Sequence, residues 1–244
     1  MGTSSSRPVP PTLVDANRLW VDSRVRALVQ RRVEAPLLLR LGGPVPGGRV
    51  LELGTGRRGT GLRLALEVFG AAHADGVERY EPSVAACRDA VRDLGDRVDV
   101  QRGDATALAA QDGAYDAVFG YHVLHHADAW RDVVREAARV LRPGGRLYSC
   151  EMTARFVDSR PLRTVSCHPA DGDRPTPDGL AAACRAAGLT VTAQDTRLAG
   201  CWTALVATLP EPAGPWAGRP GRRQKSGVTV RAVSCSAMKA RTTG

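Results

Sequence analysis

The chain predicts an α/β fold in which a doubly wound, mostly parallel sheet of seven strands ends in an antiparallel hairpin. Three observations carry that prediction. From Arg49 onward, short apolar runs alternate with segments whose apolar residues recur at helical spacing, the pattern of a parallel sheet covered by helices on both faces. A glycine-rich turn, Gly54-Thr-Gly-Arg-Arg-Gly-Thr-Gly61, follows the first apolar run. The last two strand-like runs, residues 190–196 and 201–208, are joined only by a short connection around Leu198-Ala-Gly, so they pair antiparallel. With 244 residues, 43% hydrophobic and 24% charged, the composition is that of a globular chain with one core.

Residues 1–16 are rich in Ser and Pro and read as a flexible lead. From Leu19 to Leu39, Val21, Val25, Leu28, Val29 and Val33 recur at helical spacing and predict an amphipathic helix, with Pro36 a candidate kink. Gly42 to Gly48 ends it. Strand one is expected at Arg49–Leu53 and a helix at 60–69, with Leu64, Ala65, Val68 and Phe69 inward. A strand near 74–77 leads to a helix at 82–94, where Pro82 suits the first turn. Strands follow at 98–101 and 117–119. Asp128 is the expected N-cap of a helix reaching Leu141, whose Trp130, Val133, Val134, Ala137 and Ala138 share one face. Arg142-Pro-Gly-Gly145 is expected to stop it before a strand at 146–150. A loop, a helix at 178–187 and the hairpin complete the domain, taken as residues 17–210. Residues 211–244 read as a basic, disordered tail.

The formal charge of +9 at first suggests a polyanionic partner, but its distribution argues otherwise. From Glu211 onward seven basic residues face one acidic residue, so the tail holds +6 and the domain only +3. Nucleic acid is therefore not the expected partner. No apolar run approaches the roughly 18 residues that would span a bilayer, and Met1-Gly-Thr-Ser-Ser-Ser-Arg7 lacks an apolar leader core, so a cytoplasmic location and no membrane partner are expected. The six cysteines form no C-x-x-C pair and read as reduced, mostly packed thiols.

The segment Val50-Leu-Glu-Leu-Gly-Thr-Gly56 carries the chemistry. Gly54 and Gly56 let a ligand approach the backbone where a side chain would collide. A carboxylate at Glu52, two residues before the first glycine, is badly placed for a pyrophosphate and suits a ligand bearing an ammonium group. The stretch resembles motif I of class I S-adenosylmethionine-dependent methyltransferases, in which an acidic residue precedes G-x-G. Further motifs follow in the family's order: Glu78 after the second strand, Gly103-Asp104-Ala105 after the third, Tyr115-Asp-Ala-Val-Phe-Gly-Tyr-His-Val-Leu-His-His126 around the fourth, and Leu141-Arg-Pro-Gly-Gly145. The similarity covers residues 49–209 and is nearest to small-molecule enzymes of quinone biosynthesis. It implies a Rossmann-like methyltransferase fold, S-adenosylmethionine as cofactor, and a small-molecule methyl acceptor.

By that resemblance Glu52, Gly54, Thr55, Gly56, Glu78, Asp104, Ala105 and Tyr121 bind the cofactor, with Glu78 on the ribose hydroxyls and Asp104 on the adenine amine. Two departures stand out. The glycine loop is one residue longer than usual before Gly59, and Glu78-Arg-Tyr-Glu-Pro82 is one residue longer than acidic-x-x-Pro, which leaves Glu81 as a rival for the ribose. Asp104 has an alternative reading as a turn cap, and Tyr121 as packing. His122, His125 and His126 are the nearest candidates, with Tyr121, for a base, although loop bracing accounts for each; no metal-ligand spacing is present and no catalytic residue is assigned. The acceptor pocket is expected from the N-terminal helix, including Trp20 and Arg24, and from residues 151–174. Rival readings are an NAD(P)-dependent oxidoreductase, because Gly54-Thr-Gly-Arg-Arg-Gly59 also satisfies G-x-G-x-x-G, and a noncatalytic descendant that retains the fold.

Overall fold

The computed structural model describes residues 23–159 and 173–212. The expectations for the lead at 1–16, for Trp20, for most of the 151–174 stretch and for the tail beyond Pro212 lie outside the described residues.

Seven strands form one sheet: β1 (Arg49–Leu53), β2 (His73–Glu78), β3 (Val98–Arg102), β4 (Tyr115–Tyr121), β5 (Leu141–Met152), β6 (Thr190–Arg197) and β7 (Trp202–Thr208). Their order is β3-β2-β1-β4-β5-β7-β6. The first five run parallel, and β7 inserts antiparallel between β5 and β6. The chain reverses direction across the sheet between β1 and β4, so the crevice for a ligand opens at the carboxyl ends of those strands. Strands β1, β4 and β7 are buried nearly throughout, as central strands of a covered sheet are, whereas β6 at the edge alternates between exposed and half-buried.

The helices are α1 (Arg24–Val29), α2 (Ala35–Gly42), α3 (Thr60–Glu67), α4 (Glu81–Val91), α5 (Trp130–Val140), α6 (Ala154–Val157) and α7 (Pro177–Ala186). Two cores form, one on each face of the sheet. Val50, Phe119, Tyr121 and Tyr148 pack with Leu38, Leu62 and Phe69 on one side. Leu51, Leu53, Val118 and Leu147 pack with Trp130, Val134 and Leu180 on the other. The period of two along β1 thus puts Glu52 on the Val50 face, under α3. The described cysteines are free thiols; Cys87, Cys150 and Cys184 are buried and Cys201 is partly so.

Three expectations need correction. Asp128 does not cap α5: Ala129 holds the cap position without a side-chain bond, and the helix starts at Trp130. Arg142-Pro-Gly-Gly145 is not a turn before a strand, because β5 already begins at Leu141, with its register against β4 slipping between Tyr115 and Ala117. The largest correction concerns the N-terminal helix. Val25, Leu28 and Val33 are 57, 54 and 47% exposed, and the inward side of this stretch carries Gln30 and Glu34, both buried. Periodicity selected the wrong face because this part of the helix lies over a cavity instead of the core. Between α1 and α2 the helix widens into a π-turn, Gln30–Glu34, in which Ala35 N–H donates to Gln30 C=O. Pro36 supplies a reason: it has no N–H to return to the fourth carbonyl back, and the wider turn absorbs the defect at its entry into α2.

Candidate cofactor and acceptor site

At the carboxyl ends of the parallel strands lies a cavity of about 830 Å³, toward the upper end of the roughly 300–1,000 Å³ usual for small-molecule sites. All eight residues assigned to the cofactor line it. Gly54 and Gly56 have φ of +69° and +59°, a left-handed backbone that favours glycine. Any Cβ on Gly54 would also lie 2.8 Å from Val123 Cγ2. Glu78 ties the glycine loop together from below: one carboxylate oxygen accepts Gly56 N–H at 3.0 Å and the other Tyr80 N–H at 3.0 Å. Its rival Glu81 is exposed at the start of α4, 3.9 Å from Arg102, and does not line the cavity. Thr55 is buried, its hydroxyl donating to Gly56 C=O at 3.2 Å.

Asp104 sits at the far end of the cavity, beyond β3. One of its oxygens accepts from Thr106 N–H at 2.9 Å and Thr106 Oγ1 at 2.7 Å, which holds its carboxyl below the ordinary range. This is the turn-capping geometry, with the side chain still on the cavity wall.

Glu52 is 3% exposed. Burial pushes its carboxyl up to about 8; the amides of Leu62 and Gly61 at the start of α3 oppose that, and the negative charge of Glu78 adds to it. Its Oε2 has no hydrogen-bond partner. Gly61 makes room for this carboxylate, since a Cβ there would lie 1.9 Å from Glu52 Oε1. Gly61→Ala is therefore expected to expel the Glu52 carboxylate from its seat. The flexible side chain can yield, so ligand affinity should fall about tenfold with a smaller loss of melting temperature. An unchanged affinity by calorimetry would mean that Glu52 keeps its place.

The opposite end of the cavity is built on β4 and β5. Tyr121 is buried, and burial drives its phenol well above 10, which removes it as a base. His122 follows with φ of +59°, its Nε2 2.8 Å from Glu34 Oε1 of the π-turn. Burial disfavours charge on Glu34, but His122 and Arg26 outweigh it and hold the carboxyl below its ordinary range. His125 lies on the 3₁₀ turn Leu124–His126, with Nδ1 2.9 Å from Glu151 Oε2. Glu151 is fully buried and accepts Val123 and Leu124 N–H through Oε1, so it shapes the turn as well as holding the imidazole. Burial raises its carboxyl to about 7. His126 is exposed. Ala127, Val133, Met152, Phe156 and Val157 make this end apolar.

Of the N-terminal residues expected here, Arg24 is exposed and is not on the cavity wall; Arg26, Ala27 and Gln30 are. Sequence reasoning missed Arg26, Glu34 and the role of Glu151. The signal for Glu151 was present: a carboxylate inside an apolar strand, as at Glu52. Among the described residues no group of His, Cys, Asp and Glu is arranged to hold a metal, and no helix is long and apolar enough to cross a membrane.

A Rossmann-like sheet ending in an antiparallel pair, with a glycine loop and a buried acid at the end of β1, defines the class I methyltransferase fold. Comparison with known proteins agrees. Residues 51–149 match the family described as methyltransferase domain. It is 38% identical over 114 residues to 27-O-demethylrifamycin SV methyltransferase of Amycolatopsis mediterranei, covering 44% of this chain and 41% of that protein. It is 34% identical over 110 residues to demethylmenaquinone methyltransferase of Clavibacter sepedonicus, covering 45% and 43%. The chain thus matches less than half the length of these relatives. In structure it is similar to geranyl diphosphate methyltransferase in complex with SAM, with TM-score 0.61 at 19% identity over 84% of this chain and 93% of that one. The (4+2)-cyclase SpnF shares the fold too, with TM-score 0.59 at 21% identity over 73% and 81%, so the fold does not by itself decide the reaction.

Proposed function

We propose that the protein transfers a methyl group from S-adenosylmethionine to an apolar small-molecule acceptor by in-line displacement. The observation that carries this reading is Glu52: a buried carboxylate with one unpartnered oxygen at the mouth of the glycine loop. Beside a ligand's ammonium this carboxyl gives up its proton and pairs with the cation, as the methionyl end of this cofactor allows, whereas a pyrophosphate offers it no such partner. When bound, the cofactor supplies a methyl carbon already activated by its sulfonium. Gly54 and Gly56 give it a close backbone surface, Glu78 presents a carboxylate edge toward the ribose, and Asp104 and Ala105 flank the adenine. The apolar end around Met152 and Phe156 takes the acceptor, excludes water and aligns the nucleophile. The relatives that act on rifamycin and menaquinone precursors support an apolar acceptor.

The test is calorimetric titration with S-adenosylhomocysteine and with NADH. Binding of the first in the micromolar range, with a rise in melting temperature on saturation, is expected. NADH binding without a response to S-adenosylhomocysteine would replace the assignment with a nicotinamide-dependent oxidoreductase. S-adenosylhomocysteine binding with no transfer to any of a panel of apolar acceptors would favour a noncatalytic descendant.

A further inference from the structure

Among the described residues, five large apolar side chains stand in solvent, and three of them, Val25, Leu28 and Val33, belong to one stretch of helix. A single exposed apolar residue is ordinary, but three along two turns make a stripe. Eight residues on from Val25, Val33 would drift about 80° around an α-helix. The π-turn Gln30–Glu34 takes up much of that drift, and Val33 comes out on the solvent side as Val25 and Leu28 do. Arg26, Ala27 and Gln30, on the other side of this stretch, line the cavity at the carboxyl ends of the parallel strands. Leu198, 72% exposed on the turn between β6 and β7, stands at the same end of the sheet, because Arg197 and Met152 both pair with Trp202.

The stripe is accompanied by cations. From Arg24 to Gly42 the chain has five arginines and a single acid, Glu34. Glu34 is buried and pairs inward with Arg26 and His122, whereas Arg24, Arg31, Arg32 and Arg40 are exposed. Arg31 shares Glu67 of α3, and Arg40 acts on Asp195 of β6. The outward side thus combines apolar and positive groups, the composition that seats a helix at the surface of an anionic bilayer. A second copy of the chain fits this side poorly. A two-fold contact lays the same patch on itself, which would set these arginines against their own kind, and three mid-sized side chains fall far short of a stable interface.

We propose that the outward side of α1 and the π-turn docks the protein on an anionic bilayer surface, with Val25, Leu28 and Val33 at the headgroup boundary and Arg24 and Arg32 on lipid phosphates. Docking there sets the cavity beside the phase in which an apolar acceptor dissolves, and in that respect the choice of partner rests on the acceptor proposed above. Surface docking needs no spanning segment, so it replaces the expectation of no membrane partner, which rests on the lack of a long apolar run.

The test is sedimentation of the full chain with vesicles of phosphatidylcholine alone and of equimolar phosphatidylcholine and phosphatidylglycerol. Wild type is expected on the anionic vesicles and not on the neutral ones, with binding that weakens as salt rises. Val25→Ser and Leu28→Ser together should weaken it about tenfold, because the exposed apolar area that the bilayer would cover is gone. Arg24→Gln and Arg32→Gln should each weaken it about fivefold. Melting temperature and S-adenosylhomocysteine binding should stay as in wild type, since these four residues are exposed and off the cavity wall. Vesicle binding that survives the two serine substitutions would place the attraction on other basic residues, such as those beyond Pro212, and overturn the proposal. Equal binding to neutral vesicles would overturn it as well. Binding to neither kind would also do so and leave the face to an acidic protein surface. A wild type that dimerises without lipid, and a serine variant that does not, would make the face a self-contact instead. Vesicle binding as expected, with no response to S-adenosylhomocysteine, would bring down the cofactor reading and leave the docking face standing.

Discussion

His125→Asn is expected to lower kcat by about two orders of magnitude or more on a hydroxylated acceptor, the scale of a lost general base, while S-adenosylhomocysteine affinity stays nearly unchanged. Methyl transfer to a hydroxyl requires that the acceptor's proton leave as the new bond forms. Among the residues at the apolar end, Tyr121 is a phenol held well above its ordinary range, and His126 is exposed. His122 is tied through Nε2 to the ionised Glu34. His125 is held differently. Glu151 Oε2 lies 2.9 Å from its Nδ1, so a buried carboxyl is coupled to this imidazole. Glu151→Gln should reproduce much of the loss and displace the acid limb of the pH profile, because the proton is shared by a coupled pair. The measurement is steady-state turnover of a phenolic acceptor, with binding of S-adenosylhomocysteine as the control. An equal fall in turnover and cofactor affinity would show that His125 only braces the turn.

The second large effect concerns stability and pH. An ordinary glutamate titrates at 4.5, and Glu52 in the folded chain at about 8. The folded state therefore holds a proton that the unfolded chain has released throughout the interval between those values. Stability is fully present below about 4.5 and is lost as pH rises toward 8. At about 1.4 kcal/mol for each tenfold change in acidity, the loss is on the order of 4 kcal/mol. Glu151, raised to about 7, acts in the same direction. Glu34 and Asp104, whose carboxyls are lowered, act in the opposite sense, but only as pH falls below 4.5. Urea unfolding at pH 5, 6.5 and 8 should thus show wild type weakening steadily and Glu52→Gln weakening far less. Parallel curves for the two would mean that Glu52 is ionised in the folded protein.

The same residue shows how much of the site was legible beforehand. Glu52, Gly54 and Gly56 are neighbours in sequence, and both the need for a left-handed backbone and the period of two along a strand are local. Their spacing therefore announced this end of the cavity. Asp104 and Glu78 were legible for a related reason: each directly follows or ends a parallel strand, and in this sheet all such ends open on one side. The alternation of strand and helix, and the final hairpin, likewise follow from short-range periodicity.

What the tertiary structure alone decided lies at the other end. The β7 strand enters between β5 and β6, an order that no local pattern specifies. Glu34 meets His122 across 88 residues of chain, and Glu151 meets His125 across 26. The inward side of α1 was misread because hydrophobic periodicity assumes an apolar neighbour. This stretch of helix covers a cavity instead, and Arg26, Gln30 and Glu34 face inward. Arg26 is one cation among many arginines in the sequence, and distinctive only once folding has turned it to the cavity wall.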